Sequence, residues 1–435
     1  MGVEGGETEV RMGIVADDVT GSNDIGIMFA KKGHVTTIYD FDVLKHDLSN
    51  VSPISIVNTN SRLDSSELAY AKVRRSTRWL MDAGFTHFFN KTCSVFRGNI
   101  GPEFDAMLDE LDHDFAVVVL GFPKNGRQTV NGIHYVHGRK LEESEFRDDP
   151  IHPMTRSDLV GILQSQTKRR VALLTHDVVV QGSDALRAHM EVMKANCNYL
   201  ILDVVDQAAL QIIARAIVHE RVVCGSSAVA EELAQQDTSR SSRDSVFVPT
   251  SANSVALAVA GSLTPQTRVQ VEYAHELGHP VVELDTVAAM TNKDSCGIYD
   301  HLTDFLLQYL RNGISPILHA SHDPQKVVET VEIGRRLGLS AIETGRFVSD
   351  ALAQVVHEVM NNILLDRLVV LGGETSDAVC RHLGINTLTV YKEIEPGLPS
   401  SIALAPHPLL LVLKSGSFGS VDFLIKAFDH LLDKS

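Results

Sequence analysis

Short β-rich apolar runs alternate with stretches of helical spacing along the 435 residues of this chain. In the first half, runs rich in Val, Ile, Leu and Phe predict strands near Met12–Ala16, Val35–Tyr39, Ile54–Val57, His87–Asn90, Ala116–Leu120, Val171–Leu174, Tyr199–Asp203 and Val222–Cys224. Helices are expected between them. In Ser66–Ala83, for example, Ala69, Val73, Leu80 and Met81 fall near one face, and Gly84 stops the pattern. Alternating strand and helix predicts an α/β fold with mostly parallel sheets flanked by helices on both sides. The segment Ala234–Asp244, reading AQQDTSRSSRD, is polar and lacks any apolar period, so it is read as the core of an interdomain linker over residues 234–248. The α/β pattern then restarts, with strands expected at Val255–Ala260, Pro280–Leu284, Ile317–His319, Leu368–Leu371, Thr387–Val390 and Leu409–Leu413. Two domains follow, 1–233 and 249–435, with no solenoid repeat.

Composition narrows the function. The hydrophobic share of 44% and charged share of 22% suit a globular protein with two sizeable cores. A net charge of −16 argues against a nucleic-acid partner, because backbone affinity comes from Lys and Arg neutralising phosphates. A small anionic ligand remains compatible, since a few cations in a cleft set the local field. The five cysteines, Cys93, Cys197, Cys224, Cys296 and Cys380, are far apart and lack CxxC spacing, so reduced thiols in a cytoplasmic protein are expected rather than a disulfide or zinc framework. The opening MGVEGGETEV does not read as a signal peptide, and no apolar run reaches membrane-spanning length.

Ligands of open parallel sheets bind beyond the carboxyl ends of the strands. In the first half these ends carry Asp17-Asp18 with Thr20 to Asp24, then Asn58 to Arg62, then Lys91 to Ser94 with Arg97, Gly98 and Asn99, and then Phe122 to Arg127. Lys91, Arg97 and Arg127 suit a carboxylate or phosphate. Asp17, Asp18 and Asp24 suit sugar hydroxyls, proton removal or a magnesium ion. The competing readings are ordinary ones: helix capping for the aspartates, with Thr20 and Ser22 able to free one of them, and surface ion pairs for the cations. Cys93 reads as a packing thiol.

Strand ends of the second half carry Gly261-Ser262, Ala320-Ser321, Gly372 to Ser376, and Lys414-Ser415-Gly416-Ser417-Phe418-Gly419. Two of these loops precede predicted helices, Asp377–Leu383 and Val421–Leu432. Glycine loops at helix N-termini cradle phosphates, although most such turns are only structural. No P-loop, protein-kinase, dinucleotide-fingerprint, zincin or nucleophile-elbow motif occurs.

Jointly these segments resemble the four-carbon acid sugar kinases. The resemblance rests on ADDVTGSNDIG (Ala16–Gly26), NTNSR (Asn58–Arg62), KTCSVFRGNIG (Lys91–Gly101), FPKNGRQTVNGIHYV (Phe122–Val136) and DPIHPM (Asp149–Met154). In the second half it rests on AGSLTPQTRVQ (Ala260–Gln270), LGGETSDAV (Leu371–Val379), EIEPGLP (Glu393–Pro399) and KSGSFG (Lys414–Gly419). It departs at Cys93 and Val95, where many relatives carry Asp and Thr, and at Glu374 and Ser376, where many carry Asp and Ala.

The resemblance implies an N-terminal acid-sugar domain, a C-terminal nucleotide domain and an active site in the interdomain cleft. It implies ATP with Mg²⁺ phosphorylating the terminal (4-) hydroxyl of an acid such as D-threonate or D-erythronate. Asp17 or Asp18 would orient and deprotonate that hydroxyl. Lys91, Arg97 and Arg62 would hold the carboxylate, with Ser94, Gly98, Asn99 and Arg127 completing the acid site. Gly261, Ser262, Gly372, Gly373, Glu374, Thr375, Lys414, Ser415, Gly416, Ser417 and Gly419 would hold the nucleotide. Metal ligands and oligomeric state stay open, a homodimer included. The rival readings are a sugar-acid dehydrogenase or aldolase-type enzyme, and a non-catalytic sugar-acid sensor.

Overall fold

Uninterrupted Val, Ile and Leu runs suit strands buried on both faces, and two sheets are built from them. The computed structural model describes residues 11–44, 51–149, 151–236, 255–262, 264–291 and 295–432. The chain divides into two compact units, Met1–Asp244 and Ser245–Ser435. Of the linker expected at 234–248, residues 237–248 lie outside the described residues.

The first unit contains β1 (Met12–Ala16), β2 (Thr36–Asp40), β3 (Ile54–Asn58), β4 (His87–Lys91), β5 (Ala116–Val119), β6 (Arg127–Val130), β7 (Ile133–Val136), β8 (Arg139–Lys140), β9 (Val171–Leu174), β10 (Tyr199–Leu202) and β11 (Val222–Gly225). Its main sheet runs β2-β3-β1-β4-β11-β5-β10-β9, parallel at every pairing. The register aligns the ends of neighbouring strands, pairing Ala16 with Asn58 and with Lys91, and Lys91 with Gly225. Whatever follows these residues therefore emerges along one edge. The helix Val19–Ala30 is buried along its whole length. The helix Ser66–Asp82 is capped by Ser65, whose hydroxyl accepts from the Leu68 amide at 3.3 Å.

Beyond the strand-end cluster Phe122 to Arg127, the stretch Arg127–Lys140 has structure not expected from the sequence. It forms an antiparallel ribbon, β6-β7-β8. Asn131 and Gly132 occupy its first turn with φ of 51° and 76°, the left-handed pair that tight hairpins require. Asp203, just past β10, accepts the amides of Asn131 at 2.6 Å and Gly132 at 2.9 Å, so one carboxylate fixes this turn to the sheet.

The second unit holds β12 (Leu257–Ala260), β13 (Val281–Leu284), β14 (Ile317–Ala320), β15 (Arg367–Leu371), β16 (Thr387–Glu395), β17 (Leu398–Ala403) and β18 (Leu409–Lys414). Its strands follow the order β13-β14-β12-β15-β18-β17-β16. The sheet is parallel from β13 through β18, then antiparallel across β17 and β16. The helix expected at Asp377–Leu383 begins earlier, at Gly373, so Gly373 to Ser376 form its first turn rather than a loop before it. Among the described residues no helix is long and apolar enough to cross a membrane.

Candidate functional site

In the first unit, four strand ends gather charge in a nearly dry setting. Asp17 follows β1 and takes a two-pronged bond from Arg62, with Nε at 2.7 Å and Nη2 at 2.8 Å. The Arg62 Nη1 also pairs with Asp18 Oδ2. Asp18, rather than Thr20 or Ser22, caps the helix Val19–Ala30, accepting the Gly21 amide at 2.5 Å. Burial pushes the Asp18 carboxyl up, but Arg62 and Lys91 outweigh it and hold the group below the ordinary carboxylate range. A Cβ on Gly21 would lie 2.6 Å from Asp18 Oδ1 and 3.1 Å from Lys91 Nζ, so only glycine admits this approach of the two side chains.

Lys91 ends β4 with its side chain 3% exposed, and its ammonium lies 3.4 Å from Asp24 Oδ2. The same Asp24 oxygen accepts the Ser227 hydroxyl at 2.7 Å. Burial raises the Asp24 carboxyl despite Lys91. Arg97 donates from Nη1 to Asp149 at 2.6 Å and from Nε to the Cys93 thiol at 3.5 Å, and its plane lies over Phe146. Cys93 is thus buried beside a guanidinium as well as among apolar groups. Burial pushes its thiol up, yet Arg97 and Arg62 hold it below the ordinary value. Asn60 and Phe96 adopt left-handed backbone, φ 46° and 59°, just before Arg62 and Arg97. Such strain in non-glycine residues gathers at functional sites.

The remaining first-unit candidates serve the frame around these groups. Asn99 Nδ2 donates to the carbonyls of Ser61 at 3.0 Å and Asp64 at 2.9 Å, bracing the Arg62 loop. Gly98, at φ 100°, lets that loop pass, since its Cβ would meet Arg62 Cγ at 3.0 Å. Ser94 is buried in the turn before Phe96. Arg127 is buried at the start of β6 and donates to the Asn125 carbonyl; burial lowers its pKa. Sequence reasoning did not single out Asp149, Ser227 or Glu103. Glu103 is buried and accepts the Ser61 hydroxyl at 2.7 Å, and burial together with Asp17 pushes its carboxyl well above the ordinary range. The Gly225-Ser226-Ser227 sequence after β11 was the available signal for Ser227.

In the second unit the ends of β12, β15 and β18 are neighbours, with Ala260 paired to Leu371 and Leu371 to Lys414. The loops beyond them pack at distances that admit no side chain. A Cβ on Gly261 would sit 2.1 Å from Thr375 Oγ1, and one on Gly416 2.2 Å from Ser262 Oγ. Gly372, at φ 130°, opens the helix Gly373–His382, whose first turn carries no side-chain cap from that residue. Glu374 lies in that first turn, 3.9 Å from Arg346. Ser376 Oγ is buried with no partner among the described residues. Lys414 is fully buried and donates to its own loop, to the carbonyls of Ser415 at 2.8 Å, Phe418 at 3.0 Å and Gly416 at 3.1 Å.

These two constellations sit in segments that match known domain families. Residues 12–233 match the sugar-binding N-terminal domain, and residues 257–424 the nucleotide-binding C-terminal domain. The fold and these matches thus define a two-domain α/β protein of the sugar- and nucleotide-binding class. Among similar proteins, a 3-oxo-tetronate kinase of Haemophilus influenzae is 29% identical over 95% of this chain and 98% of its own. A 3-oxo-tetronate kinase of Burkholderia multivorans is 31% identical over 97% of each. A crystal structure from Salmonella typhimurium LT2, described as a candidate tRNA synthase, superposes with a TM-score of 0.81 at 27% identity, covering 97% of this chain and all of that one. The chain belongs to the four-carbon acid sugar kinase family. It is accordingly a phosphotransferase with an alcohol acceptor.

Proposed function

We propose that this chain transfers the γ-phosphoryl group of ATP to the terminal hydroxyl of a four-carbon sugar acid in the cytoplasm. One observation carries the acid site: three cations, Arg62, Lys91 and Arg97, are gathered with Asp17 and Asp18 at the aligned ends of β1, β3 and β4. An anion entering this group exchanges for Asp17 on Arg62 or for Asp149 on Arg97, so charge is traded rather than newly buried. The relatives' names favour the 3-oxo acid as substrate over D-threonate and D-erythronate, which carry a hydroxyl where it has a ketone.

Phosphoryl transfer needs positioning and charge neutralisation more than covalent help. In this reading Arg97 and Lys91 hold the carboxylate, and Asp17 or Asp18 accepts the hydroxyl proton as the bond to phosphorus forms. The Gly261, Gly372 and Gly416 loops take the nucleotide. Mg²⁺ keeps several waters and needs only one or two carboxylates beside the phosphates. Asp17, Asp18 and Glu374 are such carboxylates, whereas no cage of three His, Cys, Asp or Glu exists among the described residues. The carboxylates of either unit would suit an ion borne by the nucleotide, which would supply neutralisation of phosphate charge.

ADP release from the purified protein, measured with 3-oxo-tetronate, D-threonate, D-erythronate and threitol, tests the reading. Turnover should be fastest with the keto acid and absent with threitol, which lacks the carboxylate. ADP release that requires none of the acids would overturn it.

A further inference from the structure

Lys414 stands where a phosphate-binding lysine would be expected, yet its ammonium is turned inward. Its three protons are matched by three carbonyl oxygens, those of Ser415, Gly416 and Phe418, at 2.8 to 3.1 Å. The Gly416 carbonyl is drawn in further by two hydroxyls, Thr264 at 2.8 Å and Thr267 at 3.0 Å. A trans peptide points its C=O and its following N–H in opposite directions. Drawing these three carbonyls inward therefore turns the amides of Gly416, Ser417 and Gly419 outward. Among the described residues, none of those three amides donates a hydrogen bond. Gly416 itself packs closely, since a Cβ there would lie 2.2 Å from Ser262 Oγ.

We propose that Lys414 is a positioning residue, an internal cation that holds the loop Ser415–Gly419 as a nest of outward amides for a nucleotide phosphate, without itself touching the ligand. This rests on the reading of the second domain as the nucleotide site. The nest is an anion receptor of the kind that successive free amides make, with a buried positive charge behind it. Ser376 Oγ, buried and without a partner among the described residues, lies in the helix that follows the neighbouring strand β15.

A pH dependence follows. Burial lowers the Lys414 ammonium to about 7, with Glu395 the one charged group that opposes it. The packed helix Pro265–Glu276 presents uncharged groups to the loop: Thr267, Gln266, which donates to the Gly419 carbonyl at 2.5 Å, and Gln270, at 3.1 Å from the Phe418 carbonyl. A phosphate bound by the loop amides favours the charged form of Lys414, so binding takes up a proton wherever the free protein has lost it. Affinity must then fall as pH rises above 7, by up to roughly tenfold per unit.

Calorimetric titration of ADP from pH 7 to 9, without acid substrate, tests this. The parent should weaken steadily across that range. Lys414→Met, which keeps length but not charge, should bind ADP at least about tenfold more weakly at pH 7 and lose the pH slope, while its affinity for 3-oxo-tetronate stays at the parent value. Circular dichroism reports whether it folds. If it does not, Thr267→Val, which removes one of the two hydroxyls on the Gly416 carbonyl, should weaken ADP by a smaller factor. A folded Lys414→Met that binds ADP as the parent does, or a parent affinity flat from pH 7 to 9, overturns the proposal. A parent that binds no ADP at any pH overturns instead the nucleotide reading beneath it.

Discussion

Asp17 and Asp18 are adjacent, yet they are held differently. Both oxygens of Asp17 face the Arg62 fork, whereas Asp18 shares its oxygens among an amide, Thr20 and Arg62. Replacing the true proton acceptor by Asn should lower kcat by roughly a hundredfold or more with little change in the ATP KM. If neither Asp17→Asn nor Asp18→Asn does so in a folded protein, the base lies elsewhere. Arg97→Ala removes one charge-assisted contact, worth about 1.5–3 kcal/mol. It should raise the KM for the acid by roughly ten- to a hundredfold and leave the ATP KM unchanged in initial-rate measurements. Glu103 gives a stability prediction. Its folded pKa is raised, so its contribution is present at low pH and is lost as pH rises through that value. Glu103→Gln, whose Oε1 can still accept from Ser61, should match the parent in melting temperature near pH 5 and exceed it increasingly toward pH 9. A constant gap across that range would mean that Glu103 does not bind its proton in the folded protein. None of this pairing was visible in sequence. Arg97 meets Asp149 across 52 residues and Asp24 meets Ser227 across 203, and no local pattern encodes such contacts.

Strand positions were legible where the chain is uniformly apolar, as at Met12–Ala16, because a strand buried on both faces has no polar positions to blur its edges. The helix Gly373–His382 was read four residues late because two glycines are poor helix formers, and their backbone freedom is used here to open the helix against Ser262. The ribbon β6-β7-β8 was missed although Asn131-Gly132 announces a hairpin, since its strands are short and partly polar. Its anchor can be tested. Asp203 also accepts the His176 amide at 3.1 Å, so Asp203→Ala leaves three amides without their acceptor. Urea unfolding should show a loss of about 1–3 kcal/mol for each amide left dry, less where water enters. A loss below about 0.5 kcal/mol, the scale of an ordinary surface substitution, would show that the carboxylate does not pin the turn.

At the scale of the whole molecule, anion binding is local. The chain carries 55 acidic against 39 basic residues, so its overall field repels polyanions, while in the proposed function Arg62, Lys91 and Arg97 take a small one. The chain should therefore fail to shift transfer RNA in a native gel at low salt, where backbone contacts are strongest. A shift that disappears as salt is raised would contradict this. That the chain holds two α/β domains was readable because each half repeats the strand–helix alternation. The placing of β11 was not readable, because spatial order departs from chain order there. That placing bears on how the protein is made. β11 lies between β4 and β5, which emerge from the ribosome more than a hundred residues before it. Throughout that interval both strands present unpaired edges, the kind of surface through which nascent chains stick to one another. Lys91 and Ser227 likewise meet on Asp24 only once Val222–Gly225 is in place, so synthesis stalled short of that point would yield a chain holding Asp17, Arg62, Lys91 and Arg97 but lacking the hydroxyl that Asp24 accepts.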